Sequence, residues 1–87
     1  MKRYEVVFSK RAEKDIERLP ARVVEKIIPV IVSLEGNPRP FGCKKLKGYT
    51  DLWRIRIGNY RIIYSIEDKI KIVEIIRVGH RKDIYKL

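Results

Sequence analysis

Three arginines, Arg54, Arg56 and Arg61, lie in the stretch DLWRIRIGNYRIIY, residues 51–64. Strand geometry turns their spacing into a cluster. Gly58-Asn59 in the middle is a two-residue hairpin signal, because both residues tolerate the positive φ of such turns. With that pair as the loop, Ile57 stands opposite Tyr60, Arg56 opposite Arg61, Ile55 opposite Ile62 and Arg54 opposite Ile63. Side chains alternate faces along a strand. Trp53, Ile55, Ile57, Tyr60, Ile62 and Tyr64 therefore share one face, and the three arginines share the other. Like charges directly across a strand pair destabilise it, so the arrangement points to an anionic ligand. Arginine presents a planar fork of donors that matches phosphate oxygens and stays charged. A solvated face with cations bonded to scattered acids is the plainer alternative. It is weakened because all three residues are arginine, with no Lys/Glu mixture, and because two of them face each other.

Other residues could join such a site. His80 and Arg81 follow the last apolar run. An imidazole, with an unperturbed pKa of about 6.5, can shuttle protons near neutrality; it can equally be an exposed or capping histidine. Tyr85 could stack on a base, donate a phenolic proton, or pack the C-terminus onto the sheet. Arg39, Lys44, Lys45 and Lys47 lead into the hairpin and read as backbone-tracking phosphate contacts or as a solvated basic loop. Tyr49 and Trp53 suit the core or its edge. Cys43 is alone, so no internal disulfide forms, and no Cys/His cluster has metal-ligand spacing. No cofactor or metal is expected. The N-terminus lacks the apolar run of a signal peptide, and no segment reaches the ~18 apolar residues of a membrane span. A cytoplasmic protein with no membrane partner is the expectation.

The elements that must position these residues follow from periodicity. Tyr4 to Phe8 reads as a strand. Ser9 is a natural N-cap for a helix carrying Ala12, Ile16 and Leu19 on one stripe. Pro20 suits the first turn of a second helix with Val23, Val24, Ile27, Ile28, Ile31 and Leu34 as its apolar face. Pro29 inside it predicts a kink or a break, and Gly36 a C-cap. Residues 36–50 form a connecting loop. The hairpin follows, then a turn at Glu67-Asp68-Lys69 and a strand over Ile70 to Val78. A three-residue turn would put odd-numbered residues of that strand on the arginine face and Glu74 toward the helices; a two-residue turn would do the opposite. The predicted fold is α+β: one small domain, 1–87, of order β-α-α-β-β-β. An antiparallel sheet has the two-helix hairpin on one face, and the first strand, if it pairs with the last, does so antiparallel.

The charge is uneven. The net charge is +10 with a pI of about 10.0. Eight Lys/Arg and six Asp/Glu give +2 over residues 1–35, and thirteen against five give +8 over 36–87. A basic half surrounding an arginine face favours a polyanion, usually nucleic acid.

Four stretches, NPRPFGCKKLKG, LWRIRIGNYRIIY, KIKIVEIIRVGHR and the terminal DIY, together with the element order, resemble the RelE/ParE toxin superfamily of toxin–antitoxin systems. The resemblance spans essentially the whole chain. The RelE branch implies a ribosome-dependent mRNA endoribonuclease, in which a ribose 2′-hydroxyl attacks the adjacent phosphate. The active residues of that branch correspond to Arg54, Arg56, Arg61, Arg81 and Tyr85. On this view Arg61 and Arg81 stabilise charge on the phosphoryl oxygens, Arg54 and Arg56 hold neighbouring phosphates, and Tyr85 orients the base or donates to the leaving oxygen. Arg39, Lys44, Lys45 and Lys47 would grip RNA. This chain departs from RelE, which has lysines at the positions of Arg54, Arg56 and His80. Arginine practically cannot act as a base, which leaves His80 or a water-mediated group as the proton acceptor. The implied partners are the ribosome, mRNA and a small acidic antitoxin. The ParE branch, which poisons DNA gyrase, and a catalytically decayed basic binding module are the alternatives.

Overall fold

A computed structural model describes residues 3–82. Its elements are β1 (Glu5–Phe8), α1 (Lys10–Glu17), α2 (Ala21–Ser33), β2 (Lys44–Lys45), β3 (Leu52–Ile57), β4 (Tyr60–Glu67) and β5 (Ile72–His80). The strands form one sheet in the order β1-β5-β4-β3-β2. The two helices and the β3–β4–β5 meander are as expected, and Tyr85 lies outside the described residues. Two features correct the expected sheet. It has a fifth strand, β2, and β1 pairs with β5 in parallel, from Glu5↔Ile72 to Phe8↔Ile75. The two are connected. β2 runs antiparallel to β3, so the 36–50 connection doubles back once more and reverses the sense of the whole meander relative to β1.

Both helices start where their sequences predict. The Ser9 hydroxyl accepts the Ala12 N–H at 3.0 Å and donates to the Ile76 carbonyl at 2.9 Å, capping α1 and fastening it to β5. Pro20 stands one position earlier than expected, at the N-cap of α2, where its carbonyl accepts the Val23 and Val24 N–H groups. α2 runs through Pro29 without a break. The proline is solvent-exposed, so the carbonyl left without its helical donor lies on the wet side of the helix. Nor does Gly36 form a left-handed cap. Leu34, Glu35 and Gly36 each donate three residues back, tightening the last turn instead.

The core joins Ala12, Ile27, Ile31 and Leu34 from the helical layer to Ile55, Ile62, Tyr64, Ile66, Val73, Ile75 and Val78 from the sheet. Full burial of such a side chain contributes about 1.5–3 kcal/mol. Trp53, Ile57 and Tyr60 pack around this cluster, so the apolar hairpin face is the one read from alternation. The other face is left for the arginines.

β5 resolves the open question of its own register in an unexpected way. Glu67 pairs with Ile72 across a four-residue connection in which Lys71 adopts φ +56°. Below the middle of the strand, Glu74 stands opposite Ser65 while Val73 and Ile75 enter the core. Tyr64 pairs with Ile75 but Ile63 pairs with Arg77, so Ile76 is an extra residue, a β-bulge. Beyond it the parity is switched. Val78 enters the core, and Gly79 stands opposite Arg61. Each of the two alternative alternations therefore holds in one half of the strand.

Candidate nucleic-acid interface

The hairpin register is the expected one, with Arg54↔Ile63, Ile55↔Ile62, Arg56↔Arg61 and Ile57↔Tyr60. Gly58 has φ +59° and Asn59 is not left-handed, as in a type II′ turn. Strand β2 adds a residue that spacing within the hairpin could not reveal. Lys44 pairs with Arg54, so one cross-strand row reads Lys44, Arg54, Ile63, Arg77. The next row reads Arg56, Arg61, Gly79. Gly79 adds no side chain to the row beside Arg61. Arg81 follows it; its N–H donates to the Asn59 carbonyl at 2.8 Å, extending the pairing, so position 81 falls on the same side as Arg61.

Arg54 is the most telling member. It is only 8% exposed, yet among the described residues it has no hydrogen-bond or ion-pair partner, and its buried Nε has no acceptor. A buried polar group without a partner is costly. Here a guanidinium is buried in register with Lys44 and two residues from Arg56 on the same face, all of like charge. Arg77, equally buried, is treated differently. Its Nε donates to Asp15 of α1 at 2.8 Å, and the same carboxylate oxygen accepts the Val78 N–H at 3.0 Å. Ser9 and Asp15 thus occupy the edge of β5 just past the point where β1 ends, and Arg77 belongs to the scaffold. This pair is only faintly marked in the sequence. The available signal was a lone acid on the apolar side of α1 and a lone arginine inside the run IVEIIRVG.

The other candidate residues divide. Arg39 is engaged in the fold: it donates twice to Asp68, at 3.1 and 2.9 Å, and lies over the Trp53 ring at 5.1 Å. Tyr4 donates to the same carboxylate at 2.7 Å. These bonds, the Arg39 contact foremost, lower the Asp68 pKa to about 2. Lys44, Lys45 and Lys47 are exposed; Lys44 is on the arginine face, and Lys45, opposite Trp53, is on the other. His80 pairs with Tyr60, and its ring meets the tyrosine edge-on at 5.5 Å between centroids. It therefore faces the helix side, and the register does not bring it to the arginines. Its Nδ1 accepts the Lys82 N–H at 3.2 Å, so the neutral ring carries its proton on Nε2.

Residues 6–85 match the family described as ParE toxin of type II toxin-antitoxin system, parDE. The toxin RelE3 of Methanocaldococcus jannaschii is 36% identical, the match covering 92% of this chain and 93% of that one. The mRNA interferase toxin RelE of Escherichia coli K12 is 31% identical, over 91% of this chain and 84% of its own length. Among solved structures, the archaeal RelE–RelB complex from Pyrococcus horikoshii superposes with a TM-score of 0.78 at 33% identity, covering 92% of this chain and 97% of that one.

Proposed function

Because the chain belongs to the RelE/ParE toxin superfamily of type II toxin–antitoxin systems, we propose that it is a RelE-type toxin, an endoribonuclease that cleaves mRNA on the ribosome in the cytoplasm. The single observation that carries this reading is Arg54, a buried guanidinium without a partner in a row with Lys44 and beside the Arg56–Arg61 pair. That constellation suits a phosphodiester better than any neutral ligand. The named RelE relatives favour an RNA target over gyrase.

In the proposed reaction the ribose 2′-oxygen bonds to the adjacent phosphorus and the bond to the 5′-oxygen breaks, leaving a cyclic phosphate and a 5′-hydroxyl. Arg61 and Arg81 stabilise the charge that builds on the phosphoryl oxygens, often the largest catalytic contribution. Arg54, Arg56 and Lys44 hold the flanking phosphates. With His80 on the helix side, the 2′-hydroxyl proton passes to water and returns by water to the leaving oxygen. A small acidic antitoxin would inhibit by covering the same face, as its cations stand ready for carboxylates as well as phosphates. Solved relatives such as the Pyrococcus complex pair a RelE chain with RelB.

The test is to add the purified chain to ribosomes programmed with a defined mRNA and map the new 3′ ends. Arg61→Ala should slow cleavage about 10²- to 10³-fold, the usual effect of losing one charge-stabilising donor. His80→Ala should stay within a few-fold of the parent. Intact mRNA combined with gyrase-dependent DNA breaks would replace this reading with the ParE one.

A further inference from the structure

Phe41 is fully exposed, at 108% of its reference area, and is absent from the apolar cluster. The loop beneath it is not loose. Cys43 donates to the Pro40 carbonyl at 3.1 Å, and Gly42 has φ +94°. That combination is a type II turn with Phe41 at its first corner. Both flanks are tied down. On one side Tyr64, itself fully buried, donates to the Pro38 carbonyl at 2.7 Å, and Arg39 is clamped to Asp68 and stacked on Trp53. On the other, Cys43 packs against the core and Lys44–Lys45 pair with β3. The turn itself needs no aromatic at this corner. The backbone beneath the ring is fixed on both sides while the ring stands fully exposed, available to a ligand.

What surrounds it decides the ligand. Lys44, Lys45 and Lys47 follow within six residues, and Lys44 joins the arginine face directly. Cations that track a backbone beside an aromatic that offers a flat face are the means by which single-stranded RNA is held. We infer that Phe41 stacks on an unpaired nucleobase of the RNA whose phosphates lie over Lys44, Arg54, Arg56 and Arg61. β2 lies two strand spacings, roughly 10 Å, from β4, and Phe41 stands in the turn three residues before β2, so the stacked base belongs to a nucleotide flanking the scissile one. The inference rests on the mRNA-cleavage reading for its substrate, while the stacking itself is read independently.

The experiment compares the parent with F41A, F41L and F41Y on programmed ribosomes. The mRNA is intact, carries 2-aminopurine, or is abasic at each position near the cut in turn. Melting temperatures should match, since Phe41 buries nothing. F41A and F41L should raise KM about five- to hundredfold with kcat little changed, F41Y should restore it, and one abasic position should erase the difference between parent and F41A. Quenching of 2-aminopurine at that position by the parent and F41Y, lost in F41A and F41L, reports the stack whether or not the RNA is cut. Cleavage with equal KM and equal quenching in all four chains overturns the inference and leaves the cleavage reading intact. Quenching that depends on the aromatic ring without any cleavage overturns the cleavage reading and supports the stack. Loss in F41A of antitoxin binding alone assigns the ring to the antitoxin and overturns it.

Discussion

A guanidinium that is 8% exposed and whose Nε meets no acceptor is held at a cost of about 1–3 kcal/mol. Arg54→Met keeps the length of the side chain and removes the unpaired group and its repulsion with Lys44. It should raise the urea midpoint by an amount equivalent to about 1–2 kcal/mol while lowering RNA affinity; a fall in stability would mean that Arg54 already has what it needs. Asp15 is the contrary case. Its carboxylate accepts from Arg77 and from the Val78 N–H, and Asp15→Ala should lower stability by about 3–4 kcal/mol in the same titration. Asp68 adds a pH dependence. Hydrogen bonds from Arg39 and then Tyr4 lower its pKa from 3.8 to about 2 in the folded state. Its contribution is therefore complete above the unfolded value near 4 and is lost as the pH falls from there toward 2. Asp68→Asn should flatten stability in that window and leave its slope above pH 5 unchanged. Arg54 and its neighbours were legible as single residues because their faces follow from counting; the engagement of Arg39 was not, because its partner is 29 residues away.

The elements show where counting works and where it fails. The β3–β4 hairpin was legible to the residue, since a two-residue loop fixes the register and alternation does the rest. Gly58 is the condition for it. Gly58→Ala places a Cβ at φ +59°, costing about 1–2 kcal/mol. The measurement is the denaturation midpoint, and an unchanged value would show that the turn relaxes freely. Strand β2 was not legible. Two lysines carry no apolar alternation, and their strand exists only because β3 offers an edge. The parallel pairing of β1 was misread with it, since one unseen reversal inverts every later direction. The bulge at Ile76 was equally hidden, because Val73, Ile75 and Val78 look like ordinary strand residues until their faces are assigned. Deleting Ile76 would remove the switch of parity. Residues 77–80 would exchange faces, sending Val78 out of the core and His80 toward the arginines. The deletion should therefore abolish cooperative unfolding.

At the scale of the whole molecule, the positive charge divides along the chain and across the sheet. Residues 36–87 carry +8 of the total +10. β4 and β5 show the helices an apolar surface, and the cationic rows lie on the far side with Lys44, Arg54, Arg56 and Arg61 in two adjacent lines. The helices thus supply an apolar-backed support for the basic face, and Asp15 of α1 holds Arg77. A face built this way binds RNA chiefly through displaced counterions. Each phosphate neutralised on a single strand steepens the dependence of log K on log salt by about 0.7. Lys44, Arg54, Arg56, Arg61 and Arg81 together predict a slope near −3.5 for this contact, from about five such steps of about 0.7. Lys44→Ala should make the slope shallower by about 0.7 and weaken binding to all sequences alike. Arg39→Ala should leave the slope unchanged while lowering stability, because Asp68 already holds that cation. Binding measured by anisotropy from 50 to 300 mM salt distinguishes the two variants. A slope that falls equally in both would show that the grip is spread over the whole basic surface and is not concentrated on the arginine face.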